Sequence, residues 1–120
     1  FSSRTAHIDN PREIYAGLLY MPYKDDQSTG GEFQIHETHD NILEVNKNGG
    51  REVNEKAGKI VKTVPYKANT LVVFCNNSAR CVHSVSSRKD AVLHRRSVNI
   101  IAEFNRAAKY SMFEVKENRR

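Results

Sequence analysis

The stretch HRRSVNIIAEF (residues 94–104) shows the clearest alternation in the chain and indicates how the chain folds. On a strand, whose side chains alternate with a period of two, Arg95, Ser97 and Asn99 lie on one face. The opposite face carries Arg96, Val98, Ile100, Ala102 and Phe104. A strand that is polar on one side and apolar on the other separates two environments. We expect its polar side to line a pocket and its apolar side to need a cover.

Short apolar and β-branched segments of the same kind recur along the chain, bounded by Gly, Pro, Asn, Asp or Ser. They are EIYAGLLYM (13–21), EFQIH (32–36), GKIVKTV (58–64), NTLVVFC (69–75) and CVHSV (81–85). Separators such as KDDQSTGG (24–31) have the composition of turns. Because no segment is long enough for a helical crossover between parallel strands, the sequence predicts an all-β fold, an antiparallel sandwich or barrel.

The length of 120 residues predicts a single domain over 1–120. Residues 105–120 are expected to form a C-terminal tail or a short helix. The irregular stretch from Glu37 to Gly58 is expected to be a surface excursion, with NGG (48–50) as a candidate hairpin turn. Cys75 and Cys81 match no zinc spacing and are expected to be reduced thiols.

Charge and hydropathy exclude some partners. The net charge is +5, but the Lys and Arg residues are scattered, so nucleic acid is not favoured as a partner. The longest apolar runs are too short to cross a bilayer, so no membrane partner is expected. Because the chain starts at Phe1 without a signal pattern, we expect a missing N-terminal part and a cytoplasmic location.

Three residues have the chemistry of a metal site. HIDNP (7–11) places His7 and Asp9 two residues apart, which on a strand directs both side chains to one face. His83 stands in the otherwise apolar CVHSV and offers a third ligand. Two histidines and one carboxylate form the facial triad of non-haem Fe(II) oxygenases, with positions left open for a co-substrate and O2. The alternatives are a polar surface pair at 7 and 9 and an ordinary core histidine at 83.

An anion site is predicted twelve residues after His83. Arg95 and Ser97 share the polar face of the last strand. The planar guanidinium matches both oxygens of a carboxylate, and the hydroxyl adds a further donor. Arg95 could instead be a solvated strand residue, and its neighbour Arg96 would take its place if the strand register slipped by one.

These motifs together resemble the double-stranded β-helix (jelly-roll, cupin-like) core of the 2-oxoglutarate- and Fe(II)-dependent dioxygenases, in the style of the prolyl-4-hydroxylase-like branch. The likeness runs from about Thr5 to Phe104. It includes HIDNP (7–11), GLLYMP (17–22), GGEFQI (30–35), VPYKANTLVVF (64–74), HSV (83–85) and RRSVNI (95–100). Members of this family carry helices and a first strand before the H-x-D motif, which implies that N-terminal helices are missing from this chain.

The resemblance assigns a role to each residue. His7, Asp9 and His83 are the implied Fe(II) ligands. Arg95 is the implied partner of the far carboxylate of 2-oxoglutarate, with Ser97 beside it. A tyrosine near the end of GLLYMP often shares that carboxylate, which implies Tyr20, and Phe33 would line the co-substrate pocket.

The implied activity is a hydroxylation that consumes 2-oxoglutarate and dioxygen and releases succinate and CO2. The substrate would be a protein side chain, an amino acid or a small metabolite, with ascorbate as an accessory reductant and residues 37–58 as a candidate lid. Two alternatives are a cupin-like binding module without turnover and a cupin-type dioxygenase that needs no 2-oxoglutarate. Tyr20 and Phe33 could be ordinary core residues, and His36, His39 and His94 are expected at the surface.

Overall fold

The computed structural model describes residues 4–38, 58–76, 81–105 and 110–112. These residues contain strands and connections and no helix, which confirms the all-β prediction. The strands are β1 (Arg4–His7), β2 (Glu13–Tyr20), β3 (Thr29–Gly30), β4 (Phe33–His36), β5 (Ile60–Val64), β6 (Leu71–Cys75), β7 (His83–Val85), β8 (Arg88–Lys89) and β9 (Ser97–Glu103). Most of the predicted excursion from Glu37 to Gly58 and of the tail 105–120 lies outside the described residues.

All strand pairs are antiparallel and form three sheets. The order is β1-β7-β4-β5 in the first, β6-β2-β9 in the second and β3-β8 in the third. The six segments predicted as strands all contain one, whereas the two-residue strands β3 and β8 were not predicted. They lie in stretches whose composition is typical of turns, so the sequence gives no sign that they pair.

The core lies between the two larger sheets. Tyr20 and Val72 come from the three-stranded sheet and Phe33 comes from the four-stranded sheet, and all three are buried. Partly buried apolar side chains surround them: Leu18, Ile35, Val64, Tyr66 and Phe74. The alternation in β2 explains this arrangement, because every second residue from Ala16 to Tyr20 is directed to the same face.

The register of β9 confirms the two predicted faces over residues 97–102 of that stretch. Ser97, Asn99 and Ile101 pair with Tyr20, Leu18 and Ala16 of β2, so they share the inner face of the sheet. On the outer face Val98 and Ile100 are 46% and 45% exposed. The described residues therefore cover that outer face only in part.

Candidate metal centre and adjoining cavity

His7, Asp9 and His83 converge on one point. His7 ends β1 and pairs in register with His83, the first residue of β7. One oxygen of Asp9 lies 3.7 Å from His7 Nε2 and 3.4 Å from His83 Nε2. One candidate ligand atom from each residue lies within 4.8 Å of the others, and across the described ranges this is the single group of this kind. The group could hold a metal ion.

Backbone carbonyls orient both imidazole rings. His7 Nδ1 lies 2.7 Å from the Thr5 carbonyl, and His83 Nδ1 lies 3.1 Å from the Cys81 carbonyl. A carbonyl only accepts hydrogen bonds, so Nδ1 of each ring carries a proton and Nε2 is turned toward Asp9. Such outer contacts set the tautomer and ring orientation that a metal ligand needs.

The protonation states also suit metal binding. Burial, followed by the nearby His83, lowers the pKa of His7 below its ordinary value of 6.5. Burial opposes ionisation of Asp9. A hydrogen bond with His83 and charge interactions with His83, His7 and Arg4 outweigh it and lower the pKa of Asp9 below 3.8. At neutral pH His7 is therefore a neutral imidazole and Asp9 is an anion, the forms in which each binds a cation.

Asp9 reaches the site from a turn, not from a strand as HIDNP suggested. Strand β1 ends at His7, and its register shifts between Arg4 and His7. The Glu13 N–H closes the turn on the Asn10 carbonyl at 2.8 Å. The buried amide of Asn76 donates to the carbonyls of Asn10 and Glu13. Asn76 therefore supports the loop that carries the carboxylate, a role that its place in the turn-like NNSAR did not indicate.

A cavity of about 280 Å³ opens beside the three residues. Phe33 and Phe74 form an aromatic wall, with ring centroids 5.4 Å and 4.7 Å from that of His83. Arg95 and Ser97 line the same cavity, together with Asn99. The sequence prediction of a pocket on the polar face of the last strand is therefore confirmed.

Arg95 makes several contacts at the cavity, but one terminal nitrogen of its guanidinium has no hydrogen-bond partner. Its Nε donates to the Gly31 carbonyl at 3.1 Å, and its guanidinium carbon lies 4.9 Å from the ring centroids of Tyr20 and of Tyr66. Four buried side-chain atoms of the described residues have no hydrogen-bond partner, and two of them, Arg95 Nη2 and the Tyr20 hydroxyl, lie together here; the others are Thr38 Oγ1 and Asn76 Oδ1. Buried polar atoms are nearly always satisfied, so an unpaired donor and hydroxyl mark a place for a ligand.

The chemistry of these two groups favours an anion. Burial raises the pKa of Tyr20 above 10, although the charge of the adjacent Arg95 and its contact with the hydroxyl act in the opposite direction. The phenol is therefore neutral at physiological pH and donates a hydrogen bond. A guanidinium N–H and a phenol O–H together match a carboxylate, which accepts hydrogen bonds on both oxygens.

The remaining predicted residues are placed as follows. Ser97 lines the cavity, but its hydroxyl donates to Asn99 Oδ1 at 3.0 Å and does not accompany Arg95. Arg96 points away from the metal group: its Nε donates to the Met21 carbonyl, and its guanidinium lies over the Tyr23 ring. Of the two adjacent arginines, Arg95 is therefore the one that lines the cavity beside the metal group.

The histidines outside the centre differ from one another. His94 is exposed as predicted, and His39 lies outside the described residues. The surface prediction for His36 is wrong, because this half-buried ring bridges Ser84 Oγ at 2.7 Å and the Gly58 carbonyl at 3.0 Å. Ser84 follows His83 on the opposite face of β7, so this contact belongs to the back of the sheet.

Comparisons of the chain with protein-family models, with curated proteins and with solved structures give no match. The described residues include no helix long and apolar enough to span a membrane.

Proposed function

We propose that this protein is an Fe(II)- and 2-oxoglutarate-dependent dioxygenase and that its two larger sheets belong to a double-stranded β-helix. One observation carries the proposal: a single cavity joins the group His7, Asp9 and His83 to Arg95, whose buried Nη2 lacks a partner. The Tyr20 ring packs against the same guanidinium, and its buried hydroxyl lacks a partner as well. An unsatisfied buried polar group costs about 1–3 kcal/mol, so packing alone gives no reason for a hydroxyl at Tyr20 or for an unpaired Nη2 at Arg95. They suit a ligand that reaches from a metal to an anion site.

The metal-ligand set fits Fe(II). His7 Nε2, His83 Nε2 and a carboxylate oxygen of Asp9 would hold the ion, and two histidines with one carboxylate leave further positions open. When bound, the iron and 2-oxoglutarate supply the oxidising chemistry that hydroxylates a substrate with dioxygen and releases succinate and CO2. The carbonyls of Thr5 and Cys81 keep both rings aimed at the ion.

The anion site fits the far end of 2-oxoglutarate. Arg95 Nη2 and the Tyr20 hydroxyl would donate to the far carboxylate, and both are satisfied when it binds. The rings of Phe33 and Phe74 give the cavity an apolar wall. The acceptor of the oxygen atom would be a protein side chain, an amino acid or a small metabolite, and ascorbate would keep the iron reduced.

The test separates metal binding, co-substrate binding and turnover. Under anaerobic conditions the protein is titrated with Fe(II) and then with 2-oxoglutarate, while calorimetry and the visible absorption of an Fe(II)–2-oxo acid complex are recorded. Succinate is then measured after admission of air, with Zn(II) as the redox-inactive control. We expect one Fe(II) site and a 2-oxoglutarate affinity that depends on Fe(II). Slow release of succinate from 2-oxoglutarate should be seen with Fe(II) and not with Zn(II).

Other functions give different results. A cupin-like binding module would bind 2-oxoglutarate equally well without Fe(II) and release no succinate. A cupin-type dioxygenase would bind Fe(II) without any 2-oxoglutarate signal. Either result would overturn the proposal.

Replacing Tyr20 by Phe is expected to weaken 2-oxoglutarate binding by about 10-fold or more, because a hydrogen bond to a charged group contributes about 1.5–3 kcal/mol. The same change removes an unsatisfied buried hydroxyl. We therefore expect the ligand-free variant to be as stable as the unmodified protein or more stable. Urea unfolding and the anaerobic titration measure the two effects.

Tyr23→Phe is the matched control, since Tyr23 is 39% exposed. We expect it to change neither quantity. If Tyr20→Phe lowered the stability of the ligand-free protein and left the affinity unchanged, the hydroxyl would have a structural partner and no ligand.

A further inference from the structure

A buried ion pair lies beside the anion site and is used by neither the metal group nor the cavity. Arg88 Nη2 lies 2.9 Å from Asp26 Oδ2, and the two side chains are only 3% and 5% exposed. Ser28 Oγ accepts from Arg88 Nη2 at 2.9 Å, and the Ser28 N–H donates to Asp26 Oδ1. The three side chains therefore form one closed network under the surface.

This network holds the turn that contains the two glycines. Gly30 pairs with Arg88 between β3 and β8, and both Gly30 and Gly31 have positive φ angles of 80° and 70°. A Cβ atom at Gly31 would lie 3.0 Å from Arg88 Cγ and 3.2 Å from Arg88 Cδ. The Arg88 stem thus packs directly against the Gly31 backbone, at a distance that only glycine permits.

The same glycine holds the anion-binding arginine. The Gly31 carbonyl accepts the Arg95 Nε hydrogen bond at 3.1 Å, and this bond sets the direction of the guanidinium. Displacement of the Gly31 backbone would therefore displace the unpaired Nη2 atom in the cavity. Positioning of this kind matters because a charge-assisted pair depends on the alignment of its donors.

A second contact connects the two arginines. The Tyr66 ring lies between them, with its centroid 5.8 Å from the Arg88 guanidinium carbon and 4.9 Å from that of Arg95. The Tyr66 hydroxyl accepts the Arg96 backbone N–H at 2.8 Å, which fixes the chain directly after Arg95. A shift of Arg88 would thus change the position of the Arg95 guanidinium by two routes, through the backbone of the glycine turn and through the Tyr66 ring.

We infer that Arg88 is a positioning residue for Arg95: the Asp26–Arg88–Ser28 network presents the Gly31 carbonyl and the Tyr66 ring, and these aim the Arg95 fork into the cavity. The effect on 2-oxoglutarate rests on the proposed function, whereas the effect on the orientation of Arg95 does not. Outer contacts of this kind change ligand affinity by about 10- to 100-fold in metal sites.

The test uses Arg88→Met, which keeps an unbranched stem, and the smaller change Ser28→Ala in case the first variant does not fold. Lys89→Met, at the exposed next position of β8, is the matched control. We expect Arg88→Met to raise the Kd for 2-oxoglutarate about 10-fold and to leave the Fe(II) affinity unchanged. In a double-mutant cycle, Arg88→Met should add no further loss once Arg95 is Gln.

A second measurement does not need the ligand. The Arg95 Nε–H signal in ¹⁵N NMR, assigned by its absence in Arg95→Gln, should lose its protection from hydrogen exchange in Arg88→Met and in Ser28→Ala. An unchanged Arg95 signal in both variants would overturn the inference. If the unmodified protein bound no 2-oxoglutarate while the Arg95 signal still responded to Arg88, the proposed function would fail and the positioning role would stand.

Discussion

Replacement of Asp9 by Ala is expected to lower the Fe(II) affinity by on the order of 100-fold or more, since loss of an outer partner alone costs about 10- to 100-fold. Asp9 is the one anion in the group, and one of its oxygens faces both Nε2 atoms. Without it only the two imidazole ligands remain, and neither supplies a negative charge to offset that of the ion. Succinate release should fall to the level of the metal-free protein.

Anaerobic Fe(II) titration against a competing chelator measures the loss. Asp25→Ala is the matched control, because Asp25 is exposed and lies apart from the cavity lining. Its Fe(II) affinity should equal that of the unmodified protein. A second pair, His83→Ala with the exposed His94→Ala as control, should repeat the pattern.

Equal Fe(II) affinity in Asp9→Ala and Asp25→Ala would contradict a metal role for this group. The contacts among the three side chains would then be a buried polar cluster of the fold. In that case Asp9→Ala should instead lower the free energy of unfolding, because breaking a buried charged contact leaves its partners uncompensated.

The residues at regular strand positions were predictable from sequence. Arg95 and Ser97 followed from the alternation of a single strand, and His83 from one polar residue in an apolar segment. Such patterns are local, so the side-chain period alone assigns each residue to a face. The pairing of His7 with His83 brings together two residues that are 76 positions apart. That these two belong to one site was predicted from the chemistry of the residue types and not from a local pattern.

The residues that support the site could not be predicted, because their contacts connect turns far apart in the chain. Asp26 and Arg88 are separated by 62 positions, and Asn76 reaches the loop at Asn10 across 66 positions. In sequence these residues have the composition of ordinary turns, where Asp and Asn commonly bond to their own backbone. Their long-range role depends on how the sheets bring the turns together.

Replacement of Arg95 by Gln is expected to weaken 2-oxoglutarate binding by on the order of 100-fold or more. Hydrogen bonds to charged groups contribute about 1.5–3 kcal/mol each, and the fork can direct more than one donor to a carboxylate. Tenfold in affinity corresponds to about 1.4 kcal/mol. Fe(II) affinity should not change, because Arg95 is not among the metal ligands.

Arg96→Gln is the most informative control. Like Arg95, Arg96 donates to a backbone carbonyl and lies over a tyrosine ring, but it does not line the metal cavity. Both variants remove one charge and one side-chain contact with a backbone carbonyl, so their effects on net charge match. Arg95→Gln also removes cation–π contacts with two rings and Arg96→Gln removes one, so urea unfolding of both variants accompanies the comparison. Anaerobic titration with 2-oxoglutarate at saturating Fe(II) compares them. Because only Arg95 of the two lines the metal cavity, equal losses in the two variants would mean that a diffuse positive field attracts the anion, and no anchored fork would exist.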